Sequence, residues 1–262
     1  MNYQTIEVCI DQGVARLWLN RPAVRNAMNE DVISELTAAL AALGSDDNVR
    51  VVVLGGRGPA FCAGADLGWM RRMADFSEPQ NQASAMELAT MLQRLHALPK
   101  PTIARVHGPA YAGGMGLASA CDIIVAETTA EFCLSEVRIG LVPATISPYV
   151  VQALGAHAAR RYMLTAERVS AAEAHRIGFV HELCDPGTID TTIASLTRSL
   201  VAAGPAALAA TKQLLDDVVD RTIDPALLAM TASVIAQVRA SAEGREGVGS
   251  FLEKRKPAWS RA

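Results

Sequence analysis

Two short loops of small residues carry the most distinctive chemistry in this sequence. GRGPAFCAGADL at residues 56–67 and HGPAYAGGMGL at residues 107–117 each follow a short apolar run. Small residues let a ligand approach the backbone closely, and N–H groups at the start of a helix favour negative charge. A lone Gly-Gly-x-Gly segment is usually a turn, but two such loops can direct two N–H donors at one carbonyl oxygen. That arrangement is an oxyanion hole, which stabilises an enolate.

The elements that must position these loops alternate between strand and helix up to about residue 180, an order typical of an α/β fold. The Asp11–Gly13 segment predicts the turn of a β-hairpin. Asn29 predicts the N-cap of a helix that ends at Gly44. The apolar runs VRVVVLGG and PTIARV predict buried strands. The second glycine loop then predicts the start of a helix, followed by the strand CDIIVA.

The composition changes in the last third of the chain, where successive segments have helical patterns and lack strand patterns. This change predicts an α/β core at residues 1–190, which contains the two loops, and a helical region at residues 191–262. An apolar face on that helical region would need a partner chain to cover it.

Composition and charge exclude several classes of function. The chain has 262 residues, of which 50% are hydrophobic, and a formal net charge of −3. The absence of a long basic run argues against nucleic-acid binding, and no apolar run reaches the length of a membrane span. The five cysteines lack metal-like spacing and predict buried thiols in a reducing compartment. Together with an N-terminus that lacks a signal-peptide pattern, these features predict a soluble cytoplasmic protein without a metal site.

Five segments together resemble the enoyl-CoA hydratase/isomerase (crotonase) superfamily: AFCAGADL, HGPAYAGGMGLASACDIIVA, SEVRIGLVP, LTAERVSAAEAHRIGFV and FLEKRKPAW. The combination is highly specific, and the resemblance covers nearly the whole chain. It implies a spiral of ββα units with a C-terminal helical region that forms a homotrimer, commonly paired into a homohexamer. It also implies an acyl-CoA thioester as the substrate, with neither a metal nor a redox cofactor.

The resemblance also implies roles for individual residues. The oxyanion donors of the family fall on the backbone of Ala63 and Gly113, in agreement with the two loops. The positions that resemble the CoA-binding residues of the family are Arg25, Ala65, Asp66, Leu67 and Lys254. Asp66 is equally well interpreted as a carboxylate that caps its own loop. Lys254 resembles a C-terminal lysine that can reach the CoA 3′-phosphate of a neighbouring subunit, and it is equally well interpreted as a solvated lysine on the last helix.

The hydratases of this family that use two carboxylates have one glutamate just after the second glycine loop and another further along. Glu136 matches the second glutamate, whereas Gly116, 20 residues earlier, occupies the first position. The missing side chain is expected to leave room for a branched acyl group or water. It also removes a proton-transfer group, which usually contributes about 10²–10⁴-fold to a rate. Glu136 can also be interpreted as a helix cap or a partner of Arg138, but its motif favours acid/base catalysis.

The segment CLSEVRIGLVPATISPYVVQALG most resembles bacterial methylglutaconyl-CoA hydratases, which act on branched, carboxylated enoyl-CoA esters, as in leucine degradation. The leading hypothesis is therefore a hydratase that adds water across a 2-enoyl-CoA double bond through an oxyanion-stabilised enolate. One alternative is a Δ3-Δ2 enoyl-CoA isomerase that uses Glu136 alone. An alternative of another class is a catalytically inactive acyl-CoA-binding oligomer.

Overall fold

The structure is a computed structural model that describes residues 3–260, so residues 1–2 and 261–262 of the two predicted parts lie outside it. The strands of this range are β1 (Ile6–Asp11), β2 (Val14–Leu19), β3 (Val51–Gly56), β4 (Thr102–Val106), β5 (Ala110–Tyr111), β6 (Ile123–Glu127), β7 (Glu131–Cys133), β8 (Val169–Ser170) and β9 (Glu182–Cys184). The helices are α1 (Glu30–Ser45), α2 (Leu67–Met73), α3 (Glu78–His96), α4 (Gly113–Ser119), α5 (Ser147–Thr165), α6 (Ala171–Arg176), α7 (Ile189–Ala202), α8 (Pro205–Val218), α9 (Pro225–Ala240) and α10 (Ala242–Leu252). Two short 3-10 helices cover Pro22–Val24 and Glu136–Ile139.

The strands form two sheets, and the larger one brings the two glycine loops to one edge. Its six strands have the order β1-β2-β3-β4-β6-β9. β1 and β2 pair antiparallel, and the remaining neighbours are parallel. The smaller sheet has the order β5-β7-β8, with β5 and β7 parallel. Since neighbouring parallel strands end at the same edge of a sheet, the loops that follow β3 and β4 leave it side by side.

The N-terminal hairpin and the first helix have the predicted local structures. β1 and β2 are joined by Gln12 and Gly13, whose φ angles of 48° and 82° suit a two-residue hairpin turn. The side chain of Asn29 caps α1 by accepting from Val32 N–H at 3.1 Å. α1 continues to Ser45, one residue beyond the end predicted from the sequence.

Helices cover both faces of the larger sheet. The main core lies between the sheet and α1 and α3, and it includes Leu17, Leu36, Leu40, Leu54, Met91 and Leu92. On the opposite face, Ile189 and Ile193 of α7 pack against Val14, Val51, Val53, Ile103 and Val125. The boundary predicted at residue 190 therefore needs correction, because it separates α7 from the sheet that α7 covers. The core continues through α7, and the helical region consists of α8, α9 and α10.

The helical region is attached to the core by partly buried polar contacts. Lys212 of α8 donates from Nζ to Asp122 Oδ2 at 2.7 Å and to Lys100 O at 3.1 Å. Within residues 3–260, no single helix is both long and apolar enough to cross a membrane. Taken together, α7 and α8 are long and apolar enough by the same criteria, with a bend of 105° between them.

The cysteines only partly match the prediction of buried thiols. Cys62, Cys121, Cys133 and Cys184 are buried and unpaired, but Cys9 is exposed. Cys9 lies on β1, the edge strand of the larger sheet, where alternate side chains point away from the core.

Candidate active site

Gly113 and Glu136 lie at one edge of the smaller sheet, because each follows one of two paired parallel strands. Tyr111 at the end of β5 pairs with Cys133 at the end of β7. Ala112 continues this pairing, since its N–H donates to Cys133 O at 2.7 Å. Gly113 comes next in one chain segment, and Glu136 follows shortly after Cys133 in the other. The strand pairing thus brings the predicted oxyanion donor and the predicted acid/base to the same side of the sheet.

The first glycine loop runs directly beside the second, as the sequence predicted. Cys62 and Ala110 form a parallel bridge. Cys62 N–H donates to Pro109 O at 3.1 Å, and Cys62 O accepts from Tyr111 N–H at 2.9 Å. The two loops are therefore held together by backbone hydrogen bonds, independently of their side chains.

The two loops also lie close together at Gly64 and Ala112. A Cβ on Gly64 would lie 3.1 Å from Ala112 Cβ, and Gly64 has a φ of 98°, which favours glycine. Ala112 has a φ of 48° and a ψ of −118°, a sparsely populated conformation for alanine of the kind that concentrates at functional sites. The residues that follow these two are Ala65 and Gly113, so their backbone N–H groups are neighbours.

The Ala63 N–H already has an acceptor within the protein. It donates to Arg25 O at 3.0 Å. This bond contradicts the prediction that Ala63 is the first oxyanion donor, because an N–H group that is already bonded cannot serve the substrate carbonyl as well.

The Ala65 N–H is free for the role of oxyanion donor that the sequence predicted for Ala63. Met28 pairs with the loop on both sides of Ala65: its N–H donates to Gly64 O at 2.7 Å, and its carbonyl accepts from Asp66 N–H at 2.8 Å. In a parallel ladder, a residue between two bonded neighbours directs its own N–H away from the partner strand. Ala65 N–H therefore points away from Met28, and it has no hydrogen-bond partner within residues 3–260.

Gly113 presents the second unbonded N–H. It is the first residue of α4, so its N–H has no acceptor within the helix. A Cβ at this position would lie 2.3 Å from Met28 Cε, the flexible end of a side chain. Gly113 and Ala65 thus provide two N–H donors on adjacent loops, and Met28 contacts both segments.

A cavity of about 500 Å³ brings together most of the residues predicted to bind CoA. Its lining includes Arg25, Ala63, Ala65, Asp66 and Leu67. Arg25 has an exposed side chain and a left-handed φ of 53°, and Leu67 is 71% exposed at the same cavity. The cavity therefore offers one cation, an exposed apolar side chain and backbone groups to a ligand.

Asp66 has structural contacts that account for both of its carboxylate oxygens. Oδ1 caps α2 by accepting from Gly68 N–H at 2.8 Å and Trp69 N–H at 3.1 Å. Oδ2 lies 3.0 Å from Arg21 Nη2. Burial opposes ionisation of Asp66, but the hydrogen bonds from Trp69, Arg21 and Gly68 outweigh it and hold its pKa below the ordinary value. The interpretation of Asp66 as a capping carboxylate is confirmed.

Glu136 begins a 3-10 helix and has the features of an acid/base group. Burial, the largest influence, raises its pKa above the ordinary value. Its Oε2 is buried without a hydrogen-bond partner within residues 3–260. Arg138 does not neutralise it, because Arg138 Nη2 donates to Ala166 O at 2.5 Å. A buried carboxyl oxygen without a protein partner is suited to exchange a proton with a bound ligand.

The space beside Gly116 is filled, in contrast to the prediction that it is open. A Cβ on Gly116 would lie 2.2 Å from Ile146 Cγ2 and 2.7 Å from Ile146 Cβ. Ile146, the residue before α5, is 2% exposed. An apolar side chain from another segment therefore occupies the volume into which a side chain at residue 116 would grow.

Lys254 follows the C-terminal end of α10 and is exposed. Its predicted contact is with the CoA of a neighbouring subunit, so the single chain leaves this assignment a prediction. Within residues 3–260, the structure has no group of three or more His, Cys, Asp or Glu side chains that could hold a metal ion.

Four residues that sequence reasoning missed determine the geometry of this site: Arg21, Asn26, Met28 and Ile146. The first three lie in the segment NRPAVRNAM, in which the sequence predicts a functional role for Arg25 alone. Asn26 is 1% exposed and donates to Arg57 O and Ala60 O at 2.8 Å. A buried asparagine in a loop is a signal of such backbone contacts, but its partners cannot be read from one sequence.

An α/β chain with two unbonded N–H donors on adjacent loops, and a half-buried carboxyl group that follows a paired strand, has the architecture of a crotonase-fold acyl-CoA enzyme. The comparisons agree: a family model described as "Enoyl-CoA hydratase/isomerase" matches residues 9–262. The chain belongs to this family, and it is an enzyme of the lyase class within it.

Individual relatives cover almost the whole chain. The enoyl-CoA hydratase ACTT6 of Alternaria alternata is 35% identical over 94% of this chain and 80% of its own length. The crotonyl-CoA hydratase of Syntrophomonas wolfei is 30% identical over 98% of both chains. The crystal structure of an enoyl-CoA hydratase from Shewanella pealeana superposes with a TM-score of 0.95, at 41% identity, over 98% of this chain and 96% of that chain. The predicted crotonase-like fold is confirmed.

Proposed function

We propose that this protein is an enoyl-CoA hydratase that acts on a branched or carboxylated 2-enoyl-CoA, such as methylglutaconyl-CoA. The observation that carries the proposal is the pairing of two unbonded N–H groups, at Ala65 and Gly113, with a buried, unpartnered carboxyl oxygen on Glu136. The thioester oxygen accepts from both N–H groups, and CoA lies along the cavity lined by Arg25 and Leu67.

The reaction adds water in two parts. The water oxygen bonds to C3, and the C2–C3 π electrons move onto the thioester oxygen, where the two N–H donors stabilise the enolate. Glu136 then delivers a proton to C2, and its raised pKa increases the population of the protonated form that can do so. The proton lost by the water passes to a base and returns to Glu136 through solvent.

The need for a base that accepts the proton of the water favours a carboxylated substrate. Gly116 has no side chain, and Ile146 fills the adjoining space with apolar atoms. A carboxylate on the substrate can accept the proton of the water, and it meets no second protein carboxylate at residue 116 to repel it.

The test is turnover on a panel of straight-chain, branched and carboxylated 2-enoyl-CoA esters, followed by loss of the conjugated thioester absorbance. We expect the highest kcat/KM on a branched or carboxylated ester. Faster turnover of short straight-chain esters would overturn the substrate assignment. The absence of turnover with every ester would favour an inactive acyl-CoA-binding oligomer.

A second candidate function is Δ3-Δ2 isomerisation, which the presence of one carboxyl group at the site favours. A single Glu136 can remove a proton from C2 of a 3-enoyl-CoA and return it to C4, and the same two N–H donors stabilise the dienolate between the two transfers. The same panel, extended with 3-enoyl-CoA esters, distinguishes the two reactions. Migration of the double bond faster than hydration would make the protein an isomerase.

We also propose that the protein assembles as a homotrimer or homohexamer through α8, α9 and α10. These helices and the loop between α8 and α9 expose eight large apolar side chains: Leu215, Val219, Ile223, Leu228, Ile235, Val248, Phe251 and Leu252. Phe251 is 82% exposed and Leu252 is 73% exposed. Exposed large apolar side chains that are concentrated in one region are typical of protein–protein interfaces.

A further inference from the structure

Arg21 joins the two chain segments that hold Ala65. Its Nη1 donates to Ala27 O at 2.5 Å, and its Nη2 lies 3.0 Å from Asp66 Oδ2. Ala27 directly precedes Met28, and Asp66 directly follows Ala65. One guanidinium therefore spans the two strands of the bridge between Met28 and Ala65.

The β-bridge between Met28 and Ala65 is a single residue pair, so a further connection between the two segments is important for its geometry. Met28 and Ala65 form an isolated pair, held by the two backbone hydrogen bonds on either side of Ala65. A two-bond bridge in loops has little resistance to twisting, and a twist here rotates the Ala65 N–H. The planar fork of arginine fixes two acceptors in one plane, which a lysine with one ammonium cannot do.

The ion pair between Arg21 and Asp66 is also more enclosed than a surface pair. Their side chains are 23% and 15% exposed, compared with 70% and 30% for Arg176 and Glu173 on α6. Shielding from water strengthens a charge-assisted hydrogen bond and reduces its sensitivity to salt.

We propose that Arg21 is a positioning residue, which fixes the direction of the Ala65 N–H by bridging Ala27 O and Asp66. This inference rests on the proposed function, in which Ala65 N–H stabilises the enolate. Arg21 touches neither the substrate nor the reacting atoms, so its effect on the reaction passes through the backbone of Ala65.

Asp66→Asn tests this proposal with little disturbance of the fold. The two helix-capping bonds use Oδ1, whereas Arg21 uses Oδ2, so an asparagine can keep the cap while it replaces the ion-paired oxygen with an NH₂ group. Arg21→Lys is the second variant, which keeps the charge but loses the fork. Glu173→Gln, which breaks the exposed ion pair on α6, is the matched control.

The decisive measurement is the absorbance shift of a bound, conjugated dienoyl-CoA, because polarisation of its thioester carbonyl moves the absorbance to longer wavelength. The shift of each bound molecule does not depend on how much of the protein is folded. We expect Asp66→Asn and Arg21→Lys to shrink the shift and lower kcat, by about 10²-fold at most, while KM changes less. Glu173→Gln should retain the full shift.

The two proposals fail in different ways. A full shift and parental kcat in both loop variants would overturn the role of Arg21 and leave the proposed function intact. A variant with a lower melting temperature but a full shift would show that Arg21 is merely structural, and would also overturn the proposal. A parent protein that binds the dienoyl-CoA without any shift would overturn the proposed oxyanion hole and this inference with it.

Discussion

At the scale of single residues, the burial of Glu136 lowers the stability of the fold and prepares the side chain for proton transfer. Burial raises its pKa above the ordinary value of 4.5, so the folded protein binds a proton at Glu136 more readily than the unfolded chain does. The stability of the fold therefore falls as pH rises through the interval between these two pKa values, and the loss persists above it. A group that destabilises the fold in this way is often retained for function.

Glu136→Gln should stabilise the fold and abolish proton transfer by this side chain. We expect a higher melting temperature than the parent at neutral pH and no difference below about pH 4, where both forms carry no charge at this position. Turnover should fall by about 10²–10⁴-fold, since proton transfer is lost. Melting curves across this pH range and steady-state kinetics provide the check. Parental turnover in a folded variant would show that Glu136 is not the acid/base.

Gly113 and Gly114 allow a comparison of two adjacent glycines with different surroundings. A Cβ on Gly113 meets the flexible Met28 Cε, whereas a Cβ on Gly114 lies 2.3 Å from the backbone oxygen of Cys62. We expect Gly113→Ala to fold and to lose turnover, because the displaced Met28 side chain crowds the donor. Gly114→Ala should mainly lower the melting temperature. Equal loss of stability in both variants would indicate that Gly113 serves packing alone.

At the scale of elements, much of the fold follows from local sequence patterns. The β1–β2 turn, the Asn29 cap and the buried β3 depend on neighbours in the chain, and all three are confirmed. The oxyanion donor was misplaced by two residues because the left-handed Gly64 changes which N–H groups face the second loop. That change depends on the pairing with Met28, which a single sequence does not reveal.

The contact between α4 and the segment before α5 is another feature that the sequence could not show. Gly116 and Ile146 are 30 residues apart, and each looks ordinary in its own segment. Their contact means that a carboxylate at residue 116 cannot be tested by one substitution, because Ile146 blocks its Cβ.

The double substitution Gly116→Glu with Ile146→Gly should place a second carboxylate at this site, whereas Gly116→Glu alone should lower stability through overpacking, by about 1–3 kcal/mol. We expect the double variant to recover part of that stability and to hydrate short straight-chain esters faster, since two carboxylates can then share one water. Turnover of carboxylated esters should fall through charge repulsion. Ile146→Gly alone is the control for the cavity. An unchanged ratio of the two substrate classes in a folded double variant would show that residue 116 does not face the acyl group.

At the scale of the whole molecule, the correction to the domain boundary leaves α8, α9 and α10 as a helical region with exposed apolar side chains. α7 is accounted for by the sheet, since Ile189 and Ile193 are buried against it. Among the later helices, α8 has no buried residue, and α9 and α10 have one each, Leu227 and Ser250. Several of their large apolar side chains are exposed. A second copy of the chain is the partner that the family resemblance implies for this surface.

Phe251→Glu with Leu252→Glu should therefore dissociate the assembly, because an interface cannot bury unpaired charges without a large penalty. We expect the parent to have three or six times the protomer mass by light scattering, and the double variant to have the mass of one protomer. Met86→Glu on α3, which replaces an apolar side chain that is 59% exposed elsewhere, is the control and should keep the parental mass. A parent with the mass of one protomer would contradict the assembly, and dissociation by Met86→Glu alone would move the interface to α3. Lys254 is predicted to reach the CoA of a neighbouring subunit, so the dissociated variant should also show a higher KM. Lys254→Ala should raise KM in the intact assembly without changing its mass.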